Sequence, residues 1–225
     1  MRYLVSVISL LAFLPFYFSA AIPLGPNKVT CVAKGDPHIK TFDGTSYDFS
    51  GHCTYDMVND IDPNHGQSRF GVTVDNMYRR NEKNARVVGF SVRANGHTVH
   101  VTGGEDGSFI IRDESRTEIP QTGFPLKHGG IDVKEDEGHL VFETDVGVHV
   151  SWNRFFQVVI SLDLDVVDDG RFVEGMCGDA NGNKENDLKT RDGDLVDFDQ
   201  PNKTEKQIIE EFGQTWSVEN TCVSL

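Results

Sequence analysis

Cys177-Gly178-Asp179-Ala180-Asn181-Gly182-Asn183-Lys184-Glu185-Asn186-Asp187 crowds the carboxylate and amide oxygens of Asp179, Asn181, Asn183, Asn186 and Asp187 into one short segment. Glycines 178 and 182 let the backbone turn there, and Cys177 offers an anchor at one end. Hard cations such as calcium take about six to eight oxygens at one point, and such a loop supplies most of them. How the segment is read decides the fold. An EF-hand loop would place it between two helices. With Asp179 as the first position, Asn181 and Asn183 fall where ligands belong. Lys184 then stands where the sharp turn needs glycine, and Thr190 where the bidentate glutamate belongs. No apolar helical stripe precedes the loop. The EF-hand reading fails, and the residues alone leave a bound cation and a metal-free Asn/Asp/Gly turn equally open.

The sequence upstream alternates between apolar and polar residues, the period of strands. Cys53–Val58, Arg69–Asp75, Val87–Ala94, His97–Thr102, Ser108–Arg112, His139–Thr144, Gly147–Trp152 and Gln157–Leu162 all read as short strands. Asn95-Gly96 is a strong hairpin signal, and Gly103–Gly107 and Asp145-Val146-Gly147 mark further turns. Many closely spaced strands predict a mainly β, antiparallel, sandwich-like or barrel-like fold. Asn76 to Asn84 is polar and predicts a mobile loop. One helix is expected near the end: Thr204 caps it, Gln207 completes a capping box, Ile208, Ile209 and Phe212 form its apolar stripe, and Gly213 stops it.

The compartment is read from the first residues. Arg2, the apolar run Leu4–Phe18 and the small residues Ser19-Ala20-Ala21 predict a secretory signal peptide over residues 1–21. Pro15 interrupts the run, which is short for a membrane anchor. The formal net charge is −14, and −15 once Arg2 leaves with the signal. So acidic a chain is a poor partner for nucleic acid or anionic membrane and a better one for cations and basic proteins.

Cys31, Cys53, Cys177 and Cys222 predict two disulfides in a secreted chain, with three pairings open. None lies in a Cys-x-x-Cys pair, which argues against zinc and redox motifs. Any early-to-late pairing closes a long loop and predicts one domain whose ends meet.

Catalytic signatures are missing. There is no Gly-x-Ser-x-Gly elbow, no His-Glu-x-x-His and no phosphate-binding glycine loop between a strand and a helix. His97 and His100 lie three apart on an expected strand and face opposite sides, so they do not ligate together. The histidines read as surface or structural residues. Asn202-Lys203-Thr204 is a glycosylation sequon.

Gly35-Asp36-Pro37-His38, Thr41-Phe42-Asp43-Gly44 and Tyr47-Asp48-Phe49-Ser50-Gly51-His52-Cys53-Thr54-Tyr55 follow Cys31 in order. Gly175-Met176-Cys177-Gly178-Asp179 opens the oxygen-rich loop, and Asp192-Gly193 and Phe212-Gly213 with Trp216 close the series. This order resembles the von Willebrand factor type D domain from Cys31 to Cys222. The segment 22–30 would then precede the domain and 223–225 would be a tail. The resemblance implies a mainly β fold stapled by Cys31–Cys177 and Cys53–Cys222. It implies calcium held by Asp43, Asp179, Asn181, the main-chain carbonyl of Asn183, Asn186 and Asp187. Asp179 replaces the family's usual asparagine and adds a negative charge. Glu174 stands where many members carry the first cysteine of a Cys-Gly-Leu-Cys motif linked to disulfide exchange. Covalent multimers and mucin-like gels are therefore not expected. The implied function is non-catalytic binding to extracellular matrix or another secreted protein. A second expectation is a soluble modulator of a basic growth factor of the bone-morphogenetic type. A third and lesser one is a luciferase-like oxidoreductase, although luciferases with type D domains are longer and richer in cysteine.

Overall fold

The computed structural model describes residues 27–35, 38–62, 68–78, 85–104, 106–121, 123–154, 157–166 and 172–222. The expected signal peptide lies outside them. Among these described residues, fourteen strands and one α-helix follow in order. They are β1 (Lys28–Lys34), β2 (His38–Lys40), β3 (Ser46–Asp48), β4 (Thr54–Ile61), β5 (Phe70–Tyr78), β6 (Ala85–Ala94) and β7 (His97–Gly103). Then come β8 (Phe109–Arg112), β9 (Leu126–His128), β10 (Ile131–Asp136), β11 (His139–Thr144), β12 (Val148–Trp152), β13 (Gln157–Asp163), β14 (Phe172–Glu174) and α1 (Glu205–Thr215).

The strands form two antiparallel sheets. The larger has the order β3-β2-β1-β13-β12-β11-β10-β9, and the smaller β14-β4-β5-β6-β7-β8. Alternation dictates the burial: in β12 every second side chain is buried, as a half-exposed strand requires, and β6 alternates likewise on either side of a phase change at Gly89-Phe90. The two inner faces meet through aromatic rings. Phe90 of the smaller sheet stands edge-on to Phe142 and Trp152 of the larger, with centroids 5.1 and 5.8 Å apart. All three are essentially inaccessible to solvent. Edge-to-face geometry adds roughly 0.5–1.5 kcal/mol per pair beyond the area buried. Asn95 and Gly96 both take positive φ, 49° and 83°, so the β6–β7 hairpin has the turn its Asn-Gly sequence favours.

The structure moves two boundaries. Asn76 to Tyr78 belongs to β5 and not to a loop. Asn76 is buried at 3% exposure, and its N–H donates to the Cys53 carbonyl at 3.0 Å. Residues 79–84 lie outside the described set. Gly213 does not stop the helix, which runs on to Thr215. The capping box of Thr204 and Gln207 is present, and Ile208, Ile209 and Phe212 are buried. Gly213 is instead a contact point: a Cβ there would lie 2.2 Å from Cε2 of Phe49, a ring only 3% exposed.

Gly213→Ala therefore sets two effects against each other. Alanine favours the helix by about 1 kcal/mol. Overpacking a buried ring costs about 1–3 kcal/mol. The steric cost wins, and urea denaturation should show a net loss of stability. A gain would show that Phe49 yields freely.

Candidate metal centre

The oxygen-rich loop is positioned from three sides. β4 shifts register against β5 between Asp56 and Val58, and the carbonyls freed there face the chain that enters the loop. Met176 N–H donates to the Asp56 carbonyl at 3.0 Å, and Cys177 N–H to the Met57 carbonyl at 2.9 Å. From the larger sheet, Phe42 N–H donates to the Cys177 carbonyl at 3.0 Å and the Tyr47 hydroxyl to the Met176 carbonyl at 2.6 Å. Burial pushes the Tyr47 phenol well above its ordinary pKa, with the Asp187 charge adding to it, so Tyr47 stays a donor. Beyond the loop, Trp216 at the end of α1 donates its indole N–H to the Lys189 carbonyl at 3.0 Å.

A disulfide joins Cys31 to Cys177, with an α-carbon separation of 5.7 Å. A second joins Cys53 to Cys222. No free cysteine remains.

These constraints place Asp43 against the loop. One carboxylate oxygen each from Asp43, Asp179 and Asp187 lies within 4.8 Å of the others. Oxygens on opposite sides of a calcium ion bound at 2.3–2.6 Å stand about 4.6–5.2 Å apart, so the span suits that ion. Each carboxylate is half-satisfied. Asp187 Oδ2 accepts from the Thr41 hydroxyl at 2.6 Å. Asp179 Oδ2 accepts from Lys189 Nζ at 2.5 Å and Asn181 Nδ2 at 2.9 Å. Asp43 Oδ2 accepts from Asn181 N–H at 3.0 Å. The other oxygens of two of these groups are left over. Asp179 Oδ1, Asp187 Oδ1 and the amide oxygen of Asn186 are all buried without a hydrogen-bond donor.

An orphaned buried acceptor costs about 1–3 kcal/mol, and more when it is charged. Asp187 carries that cost at 1% exposure. Burial raises its carboxyl pKa, Thr41 and Thr45 oppose the rise through hydrogen bonds, and the Asp43 charge adds to it. Lys189 neutralises one of the three acids but sits on the satisfied oxygen of Asp179. The backbone also bends to make the space. Gly178 has φ +82°, and a Cβ there would fall 2.1 Å from Asp187 Oδ1. Ala180 holds φ +54° at a cost of about 1–2 kcal/mol.

The six residues implied as ligands divide into two groups. Asp43, Asp179 and Asp187 converge, and Asn186 adds a buried amide oxygen without a donor. Asn181 and Asn183 are more exposed and shape the loop: Asn181 Oδ1 accepts from Asn183 N–H at 2.8 Å, and Asn183 Oδ1 from Glu185 N–H at 3.2 Å. The main-chain carbonyl of Asn183 accepts from Asn186 N–H at 3.3 Å and keeps a second lone pair. Thr41, Thr45 and Lys189 were not singled out from the sequence. Thr41 stands two residues before Asp43, and only the fold shows that it reaches Asp187.

The profile of the von Willebrand factor type D domain matches residues 31–194. This chain belongs to that family. Among related proteins, human IgGFc-binding protein is 34% identical over 170 residues, which cover 76% of this chain and 3% of the relative. Chicken mucin-5B is 29% identical over 202 residues, covering 89% of this chain and 8% of the relative. Human alpha-tectorin is 26% identical over 206 residues, covering 90% and 8%. The chain therefore spans less than a tenth of the length of these relatives, and what it shares with them is a type D domain.

Glu174 lies in β14 opposite Asn59 of β4. Burial raises its carboxyl pKa, against the lowering effect of Arg191. Asn202 is exposed in the turn before α1. Among the described residues no helix is long and apolar enough to cross a membrane.

Proposed function

We propose that this chain is a secreted type D domain that holds calcium for structure and acts without catalysis, by binding an extracellular protein or matrix component. One observation carries the reading: buried oxygens on Asp179, Asn186 and Asp187 have no donor, and carboxylate oxygens of Asp179 and Asp187 lie within 4.8 Å of one from Asp43. They fit a hard cation's demand for oxygens. Asp43, Asp179, Asn186 and Asp187 would hold calcium with their side chains, Asn181 from the exposed side and Asn183 through its carbonyl. Bound there, calcium supplies a charge-neutralising cross-link between the Asp43 segment and the loop. Thr41 and Lys189 orient the carboxylates.

The binding role is supported by the family and by the kinds of protein that share the domain, one of them named for binding IgG Fc. The net charge of −14 also favours a second reading, a modulator of a basic growth factor of the bone-morphogenetic type. With all four cysteines paired, no thiol is left for covalent multimers.

Capture from extracellular fluid on the immobilised chain, with calcium and with chelator, tests the binding role. Retention of matrix or other secreted proteins, weakened by chelator, is expected. A retained basic growth factor selects the second reading, and light emission with a luciferin would contradict the non-catalytic one. We further propose that Asn202 carries an N-glycan. Glycosidase treatment of chain secreted from animal cells should lower its mass, and Asn202→Gln should remove the change. Equal masses before and after treatment would contradict it.

A further inference from the structure

A second side-chain cluster lies away from the calcium loop. His97 opens β7 of the smaller sheet, and Glu114 follows β8 at that sheet's edge. His128 ends β9, the edge strand of the larger sheet. One ligand atom from each of the three lies within 4.8 Å of the others. His128 Nε2 is 2.6 Å from Glu114 Oε2, and His97 Nδ1 is 3.5 Å from Glu114 Oε1. The imidazole rings stand edge-on with centroids 5.4 Å apart. The side chains are 47%, 44% and 24% exposed for His97, Glu114 and His128, so an ion can reach them.

Rigid backbone supports each group. Gly129 leaves room for the His97 ring: a Cβ there would lie 2.0 Å from Cγ of His97. The hairpin tip that carries His97 is tied to the larger sheet by Asn95 Nδ2, which donates to Asp145 Oδ1 at 2.8 Å. Glu114 sits in a turn closed by Asp113, whose Oδ1 accepts from Ser115 and Thr117 N–H, both at 2.9 Å.

We propose that His97, Glu114 and His128 form a binding site for a zinc-class divalent cation that clips the edges of the two sheets together. Two imidazole nitrogens and one carboxylate are a ligand set for zinc, which binds them at about 2.0–2.2 Å. Tetrahedral ligands at that length stand roughly 3.3 Å apart. The separation of His97 from Glu114 already meets this, and the His128 contact opens slightly when the ion replaces the proton between the groups. The fourth position faces solvent and takes water. Calcium, which prefers an all-oxygen shell, does not compete here. The cluster draws on positions 97, 114 and 128, on three strand ends that meet only in the fold.

The test is calorimetric titration of the calcium-loaded chain with zinc, with no chelator present. One zinc per chain is expected, together with a higher melting temperature. His97→Ala and His128→Ala should each weaken binding beyond the roughly 10–100-fold that loss of an outer-shell partner costs. Glu114→Gln should also weaken it. These exposed variants should keep the wild-type melting temperature in calcium alone, which separates lost ligands from lost fold. Asp187→Ala should leave zinc affinity unchanged, so failure of the calcium site is distinguished from failure of this one. No zinc uptake by the wild-type chain overturns the proposal. So does uptake that is undiminished in the His97→Ala/His128→Ala chain.

Discussion

Replacing Cys31 and Cys177 together by alanine is expected to lower stability and also to weaken calcium binding. The matching change at Cys53 and Cys222 should lower stability alone. The bridges span 146 and 169 residues. In the chain-entropy model loops of these lengths are worth about 5 kcal/mol each, and removing a native bridge typically costs about 2–5 kcal/mol. Urea denaturation should therefore place the two double variants close together. Calcium affinity should separate them. Cys177 begins the loop, and its partner on β1 ties that loop to the sheet from which Asp43 projects. The Phe42 and Tyr47 hydrogen bonds survive in the variant, so binding should weaken without vanishing. Cys53 immediately precedes β4 and Cys222 follows the helix, so this bridge ties neither Asp43 nor the loop directly. An equal loss of calcium affinity in both variants would show that the first bridge has no particular bearing on the site.

Asp187→Asn should show opposite effects with and without calcium. Without calcium, Asp187 keeps a buried charge with one orphan oxygen beside two other carboxylates. Asparagine removes that charge, keeps the side-chain shape and still accepts from Thr41. In chelator the variant should be at least as stable as the wild type, because relieving an orphaned buried acceptor is worth about 1–3 kcal/mol. Calcium at a hundredfold excess over its dissociation constant stabilises the wild type by about 2.7 kcal/mol. For a chain of this size that is roughly 5–10 °C in melting temperature. The variant should gain little of it. A variant that melts lower in chelator and still rises with calcium would place the ion elsewhere.

How far the sequence reveals this molecule depends on how local each signal is. Some inner strands announce themselves, although β1 and β10 do not: β11 begins and ends where the alternation says, because it lies between β10 and β12 and one face is fully buried. Sheet-edge and short strands are less visible. β2 and β3 are three residues long with one buried side chain each, too short to show a period. β10 buries Ile131 and Val133 and then runs into exposed acids, so its second half reads as a turn. Gly213 carried a strong local signal that the fold overrode, since the Phe49 ring needs the space that a side chain would take.

The oxygen-rich loop is legible as a set of oxygens because its residues are contiguous. Its completion by Asp43, across 138 positions from Asn181, came only with the resemblance. His97, Glu114 and His128 had no such help. His97 and His100 part as their spacing predicts: His100 turns to Ser91 at 2.6 Å, while His97 turns to His128 of the other sheet.

The central claim is that Asp43 and the Cys177–Asp187 loop together hold one calcium ion. Calorimetric titration of the chelator-stripped chain with calcium tests it most directly, with Asp179→Ala/Asp187→Ala as the comparison. One ion bound per chain, and none in the double variant, is the predicted result. Absence of binding by the wild-type chain, or equal binding by the double variant, would contradict it.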